Sequence, residues 1–141
     1  MRNILRFILA GLIALPALAT AGVVVIAHPS VSVTALTADQ VSQIYLGRSS
    51  SLPGGQAVQP LDQAEGSPAR DQFAQKVLGR SEQQLRSYWS RMIFTGKGQP
   101  PRALAGSADV LRQVAGNPGF IGYVDSKDIG NARVKVLLTM E

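Results

Sequence analysis

The sequence predicts one α/β domain whose mixed or partly parallel sheet is flanked by helices. Runs of β-branched and apolar residues alternate along the chain with segments whose apolar residues recur at helical spacing. Clusters of glycine, proline and serine separate these segments. The 141 residues are enough for one hydrophobic core of ordinary size, but not for two full domains. This alternation is typical of a sheet covered by helices.

The first 21 residues predict a secretory signal peptide. Arg2 and Arg6 form a short basic region, residues 7–18 form an apolar run, and Ala19-Thr20-Ala21 has the small-x-small pattern of a cleavage site. The apolar run is shorter than the roughly 20 residues that a membrane-spanning helix needs. We expect cleavage after residue 21, a domain over residues 22–141 and a periplasmic location; an uncleaved membrane anchor is the alternative.

Composition excludes several classes of function. The formal net charge is +5 and falls to +3 if Arg2 and Arg6 leave with the leader. The basic residues are scattered rather than clustered in a run, so a nucleic-acid partner is not predicted. The chain contains no cysteine, so it has no disulfide, no thiolate metal site and no thiol nucleophile.

Local signals predict each element in order. Gly22–Ala27 is a continuous β-branched run and predicts a buried strand, which Val31–Val33 extends or re-enters. Thr37 and Gln40 form a capping-box pattern that begins a helix. Residues 57–61 predict a second strand. The later elements are helices beginning after Ser67, at Ser81 and at Ser107, a loop over 94–101, and strands over 120–124 and 134–138.

Aromatic residues at helical spacing are interpreted as core side chains. They are not interleaved with a basic run, so a stacking platform for nucleotides is not indicated. The five residues are Tyr45, Phe73, Tyr88, Trp89 and Phe94.

The turn Gly66-Ser67-Pro68, between the second strand and its following helix, is the strongest site signal. Ser67 suits the N-cap, and Pro68 suits the first helical position, where its missing N–H is not needed. A helix N-terminus presents unbonded N–H groups and a partial positive charge, so it favours an anion. Arg70 in the first turn opposes the helix dipole. We therefore expect it to face an anion or a nearby carboxylate, such as Glu65 or Asp71.

Other polar residues give weaker signals. Ser30 and Ser32 follow the first strand, where small hydroxyls can donate to an oxyanion; ordinary turn serines are an equal alternative. His28 is the only histidine and is interpreted as a strand-end residue. Asp62 and Glu65 are read as solvated acids or partners of Arg70. Neither a nucleophile with a base nor a metal-ligand spacing is present, so we expect no enzyme activity, no metal and no cofactor.

Four stretches together resemble the phosphate-binding periplasmic proteins of phosphate ABC transporters, and more closely their short single-domain relatives. They occur in the family's order and cover roughly half of the mature chain. The stretches are LTADQVSQIYLGR (36–48), LDQAEGSPARDQF (61–73), YWSRMIFTGKGQPP (88–101) and VAGNPGFIGYV (114–124).

The resemblance implies one lobe of a two-lobed binding protein, with a crossover strand. The family's oxyanion loop, Arg-x-Asp-Gly-Ser-Gly-Thr at a helix N-terminus, corresponds to residues 63–69. Gly66 and Ser67 match that pattern. The arginine position holds Gln63, and Pro68 removes one backbone donor. A neutral amide cannot replace the charged, two-pronged grip of a guanidinium on an oxyanion.

The resulting hypothesis is a non-enzymatic periplasmic module that binds phosphate or a similar small anion. Its ligands would be Gly66, Ser67 and Arg70, with Ser30 and Ser32 opposite. An inner-membrane ABC permease is the partner that the resemblance implies, and a homodimer that rebuilds a cleft is a further expectation. The alternative is an envelope interaction or sensory partner that keeps the fold without tight ligand binding.

Overall fold

Five strands form one mixed sheet in the computed structural model, which describes residues 22–140. The strands are β1 (Val23–Ala27), β2 (Gln59–Gln63), β3 (Arg102–Leu104), β4 (Phe120–Asp125) and β5 (Lys135–Met140). Their order across the sheet is β3-β2-β4-β1-β5. Strand β2 is parallel to β3 and β4, whereas β1 is antiparallel to β4 and β5. The expected mixed sheet is therefore confirmed.

Three of the four α-helices within residues 22–140 begin directly after a residue whose side chain caps the first turn. The helices are α1 (Ala38–Tyr45), α2 (Pro68–Phe73) with a π-helical continuation (Ala74–Leu78), α3 (Glu82–Phe94), α4 (Ser107–Gly116) and a 3-10 turn (Ser126–Asp128). Thr37 and Ser81 each form a complete capping box, and Ser67 accepts from the N–H of Arg70. Such caps satisfy orphan N–H groups within four residues, so they are readable from sequence.

Strand β1 lies between two hydrophobic layers. Val23 and Val25 pack in the cluster that α1 and α2 cover, and Val24 and Ile26 pack in the cluster that α4 covers. Alternate side chains of a strand point to opposite faces, so both sets are buried. This double burial accounts for the unbroken β-branched run, and helices lie on both faces of the sheet.

Several sequence-based boundaries are wrong. Strand β2 occupies residues 59–63 rather than 57–61, and residues 31–33 form no strand. Strand β3 was not predicted at all; its three residues pair in parallel with Leu61–Gln63. Such a short edge strand exists because a neighbouring backbone accepts it, and no local pattern marks it.

The interpretation of Phe94 as a core residue is also wrong. Helix α3 buries only Leu85 completely, and the Phe94 side chain is 92% exposed. Tyr45 and Phe73 are core residues, as expected, and they pack with Tyr123 at ring-centroid distances of 4.0–5.8 Å.

The proposed signal peptide lies outside the described residues. Within residues 22–140, no helix is both long enough and apolar enough to cross a membrane.

We predict that Gly122→Ala lowers the free energy of unfolding by about 1–3 kcal/mol. A Cβ at position 122 would overlap Cγ1 of Val110 and lie 3.3 Å from Cγ2 of Val114, so α4 would have to move away from β4. Gly116→Ala is the matched control, because its Cβ would meet nothing within 4 Å. Equal urea midpoints for the two variants would contradict the close packing of α4 on β4.

Candidate functional site

Gln63 ends β2 and joins two helix starts. Its side chain is almost fully buried, with 1% of the residue exposed. The amide Nε2 donates to the carbonyl of Tyr123 at 2.9 Å and to Oγ of Ser107 at 3.2 Å. The amide Oε1 accepts from Oγ of Ser67 at 2.7 Å. One glutamine therefore fixes the N-cap of α2 and the first residue of α4 on the ends of β2 and β4.

A cavity of about 280 Å³ opens between the starts of α2 and α4. It lies beyond the carboxyl ends of the parallel strands β2 and β4, which is where ligands collect in open α/β sheets. Both helix starts direct a partial positive charge toward it. The charged residues of its lining are Lys127, Asp125 and Asp128. The two carboxylates offset the lysine and the helix dipoles, so the cavity has only a modest attraction for anions.

The Ser67 hydroxyl is already engaged on both sides. It accepts from the N–H of Arg70 at 3.4 Å while donating to Gln63. To donate to a bound anion, the Ser67 hydroxyl would have to give up its hydrogen bond to Gln63. Ala69, at the second helical position, supplies an N–H without an intrahelical acceptor, and Gly66 makes the turn with a φ of 90°.

Arg70 faces carboxylates rather than the cavity. Its Nη2 donates to Glu82 at 3.0 Å, and its Nε donates to the other oxygen of the same carboxylate. Its Nη1 donates to Asp62 at 3.1 Å and to the carbonyl of Gln63 at 2.8 Å. The expected carboxylate partner therefore exists, although it is Asp62 with Glu82 and not Glu65 or Asp71. Two carboxylates offset the charge of Arg70.

Glu65 has a different partner. It forms a two-pronged ion pair with Arg86 at 3.0 and 2.9 Å, on the exposed surface.

A buried tyrosine completes the network behind the site. The Tyr123 hydroxyl donates to Asp62. Burial raises the pKa of Asp62, while Tyr123 and Arg70 act in the opposite direction. Burial, followed by the charge of Asp62, raises the pKa of Tyr123 far above its usual value. Tyr123 therefore stays protonated and remains a donor at neutral pH.

The expectation that Ser30 and Ser32 face Ser67 is wrong. Strand β1 runs antiparallel to β4, so its end at Ala27 pairs with Ile121, at the beginning of β4. The Ser67 turn follows β2, which runs parallel to β4 and therefore ends at the opposite edge of the sheet. The length of β4 separates the two edges by roughly 17 Å. Both serines are exposed, and Oγ of Ser30 lies 2.7 Å from Nδ1 of His28 in an ordinary turn.

Comparison with known proteins gives a likeness in structure only. No protein-family model and no curated protein sequence matches the chain. A phosphate ABC transporter substrate-binding protein from Clostridium perfringens, solved with bound phosphate, aligns with a TM-score of 0.64 and 24% identity, over 83% of this chain and 44% of that one. A phosphate transport receptor from Vibrio cholerae aligns with a TM-score of 0.66 and 16% identity, over 83% of this chain and 45% of that one. PstS from Borrelia burgdorferi aligns with a TM-score of 0.63 and 12% identity, over 83% of this chain and 46% of that one.

This chain has the fold of a phosphate-binding-protein lobe. It spans less than half the length of these structures, in agreement with the expectation of one lobe. Two of the aligned proteins are phosphate transport proteins. At these identities the likeness concerns the fold alone. Among residues 22–140, no group of three or more His, Asp or Glu side chains is arranged to hold a metal ion.

The sequence indicated the α2 side of this cavity and not the α4 side. Ser67 was found because its capping signal is local. Ser107, Asp125 and Lys127 were missed, although the start of α4 was visible in the sequence. Only the parallel pairing of β2 with β4 brings the two helix starts together.

Arg70→Met should lower the free energy of unfolding by about 3 kcal/mol, because Asp62 and Glu82 would lose their shared cation in a mostly buried position. Arg86→Met is the matched control. Its ion pair with Glu65 is exposed, so its urea midpoint should stay at the wild-type value. A similar loss in both variants would contradict the structural role of Arg70.

The pH dependence of stability tests Tyr123. The tyrosine pKa is near 10.0 in the unfolded chain and higher in the folded protein. Above about pH 10, the unfolded state releases this proton while the folded state keeps it, so stability falls with rising pH. Tyr123→Phe lacks this contribution and should lose stability less steeply between about pH 9 and 11, as measured by urea unfolding. Equal slopes for the two proteins would count against the raised pKa.

Proposed function

We propose that this chain is an extracytoplasmic oxyanion-binding module of the phosphate-binding type. The anion would occupy the cavity between the starts of α2 and α4. The observation that carries the proposal is the junction at Gln63, where Ser67 and Ser107 are held together at the carboxyl edge of the sheet. The likeness to a structure that holds phosphate supports the same class of ligand. The proposal includes export of the chain with removal of residues 1–21. It also includes a membrane permease as the partner.

Four groups would contact the anion. The hydroxyl of Ser67, as the sequence indicated, and the N–H of Ala69 would donate from the α2 side. Gly66, which the sequence also indicated, is not among the residues that line the cavity. The hydroxyl of Ser107 and the ammonium of Lys127 would donate from the α4 side. Arg70 acts as a positioning residue in this arrangement, because it holds the Gln63 carbonyl and both neighbouring carboxylates.

The affinity should be low. A charge-assisted hydrogen bond contributes about 1.5–3 kcal/mol, so a neutral Gln63 at the arginine position costs roughly ten- to a hundredfold in affinity. Asp125 and Asp128 also line the cavity, and a phosphate dianion would be repelled by both. We therefore expect a dissociation constant of roughly millimolar size.

A specific observation favours a second function, that of an interaction partner in the envelope. Ser67 and Gln63 satisfy each other without a ligand. Phe94 is 92% exposed and Ile93 is 55% exposed at the end of α3. Neighbouring exposed apolar side chains are suited to contact with another molecule. A protein with no anion affinity and a reproducible membrane partner would belong to this class.

Calorimetric titration of the exported protein with inorganic phosphate tests the first function. Ser67→Asp keeps an N-cap acceptor but places a negative charge at the site, and it should abolish phosphate binding. Ser81→Asp makes the same change at the exposed N-cap of α3, and it should leave phosphate binding unchanged.

Two results would contradict the proposal. One is the absence of saturable heat at about ten times the expected millimolar constant. The other is equal phosphate binding by the Ser67→Asp and Ser81→Asp variants, which would move the binding site elsewhere.

A further inference from the structure

Four cations line one surface cavity of about 440 Å³ at the far end of α2 and its continuation. Its other lining residues are Tyr88, Met92 and Thr95, and none of them is acidic. The ion pairs of residues 22–140 use other cations, so no described carboxylate neutralises this group. The four cations are Arg48, Arg80, Arg91 and Lys97. We call this group the basic cavity.

Three helix ends build the basic cavity in the same way. Gly47, Gly79 and Gly96 adopt left-handed φ angles of 75°, 63° and 68° just after α1, the π-helical turn and α3. Each glycine is followed directly by a basic residue of the cavity: Arg48, Arg80 and Lys97. Glycine reaches this conformation without steric cost and turns the chain out of the helix. The three turns therefore bring cations from separate segments to one place.

Tyr88 holds two of these cations close together. Its hydroxyl donates to the carbonyl of Leu46 at 2.6 Å, which fixes the ring beside the end of α1. The guanidinium of Arg80 lies 4.9 Å from the ring centroid, and that of Arg48 lies 6.0 Å away. Both guanidiniums are attracted electrostatically to the face of the ring. This attraction offsets part of the repulsion between the two arginines.

Helix dipoles alone do not account for the cluster. The carboxyl end of a helix carries roughly half a negative charge. Three such ends therefore supply about 1.5 negative charges, against the four positive charges of the side chains. An excess of about 2.5 positive charges remains at one cavity. Keeping this excess without a carboxylate in the lining reduces the stability of the folded chain through repulsion. An anionic ligand would remove that repulsion.

We infer that the basic cavity is a second anion site, which binds two or more linked or neighbouring phosphate groups at once rather than a single inorganic phosphate. Guanidinium groups match phosphate oxygens in pairs, and the cavity volume is within the usual range for small ligands. The site is distinct from the Ser67 site. The eleven residues from Pro68 to Leu78 separate the two by roughly 16 Å of helix. It does not depend on the proposed function of Ser67.

Two sources supply this chemistry: a soluble multiply charged phosphate, or the phosphate headgroups of an anionic membrane. Phe94 distinguishes them. It lies one helical turn after Arg91 on the α3 surface and is 92% exposed. An exposed aromatic side chain beside cations can enter the boundary region of a bilayer. It contributes nothing to a soluble phosphate bound in the cavity.

The test titrates the exported protein with pyrophosphate by calorimetry at low salt. In parallel, it measures co-sedimentation with vesicles of phosphatidylcholine, with and without phosphatidylglycerol. We expect binding to at least one of the two probes. The double variant Arg80→Gln/Arg91→Gln should weaken that binding at least about tenfold. Arg112→Gln/Arg133→Gln removes the same charge elsewhere and should leave it nearly unchanged. Should the first pair of substitutions prevent folding, Lys97→Gln, in an exposed loop, should still weaken binding.

The variants also identify the source and separate this site from the Ser67 site. Loss of vesicle binding in Phe94→Ser, with the cations intact, assigns the site to lipid headgroups; binding of pyrophosphate alone assigns it to a soluble ligand. Either binding should persist in Ser67→Asp. Absence of binding to both probes would overturn the inference. Equal weakening by the two double variants would also overturn it, because it would show only nonspecific electrostatic attraction.

Discussion

The ion pairs of Arg70 are the interaction on which the candidate site depends. One guanidinium joins Asp62 on β2 to Glu82 at the start of α3, and it also holds the carbonyl of Gln63. It therefore fixes the end of a strand, the first turn of its own helix and the next helix relative to one another. Arg70, Asp62 and Glu82 lie in a mostly buried position. None of the three can move away alone, because the move would leave a charge without its partner.

This network explains how the anion site can be well ordered and yet weakly charged. Its strongest cation serves the fold, since two carboxylates surround Arg70. The residue at the carboxyl edge of β2 is the neutral Gln63, which binds Ser67 and Ser107 instead of a ligand. The amide keeps the two helix starts in position without contributing a charge. The excess positive charge instead lies in the basic cavity, at the opposite ends of the helices.

The sequence was informative where structure is determined over a few residues. The caps at Thr37 and Ser67 were predicted because donor and acceptor lie three residues apart. Strand β3 was missed because only its neighbour β2 stabilises it. The misplacement of Ser30 and Ser32 has a related cause. Their position relative to Ser67 depends on the direction in which β1 pairs with β4, and strand direction leaves no local signal.

Amide NMR of the protein during a phosphate titration tests the location of the site most directly. We expect saturable shifts at Ser67, Ala69 and Ser107, since both helix starts line the cavity. The amides of Ser30 and Ser32, at the opposite edge of the sheet, should not move. Shifts confined to other residues, or none at phosphate concentrations of tens of millimolar or so, would contradict an anion site between α2 and α4.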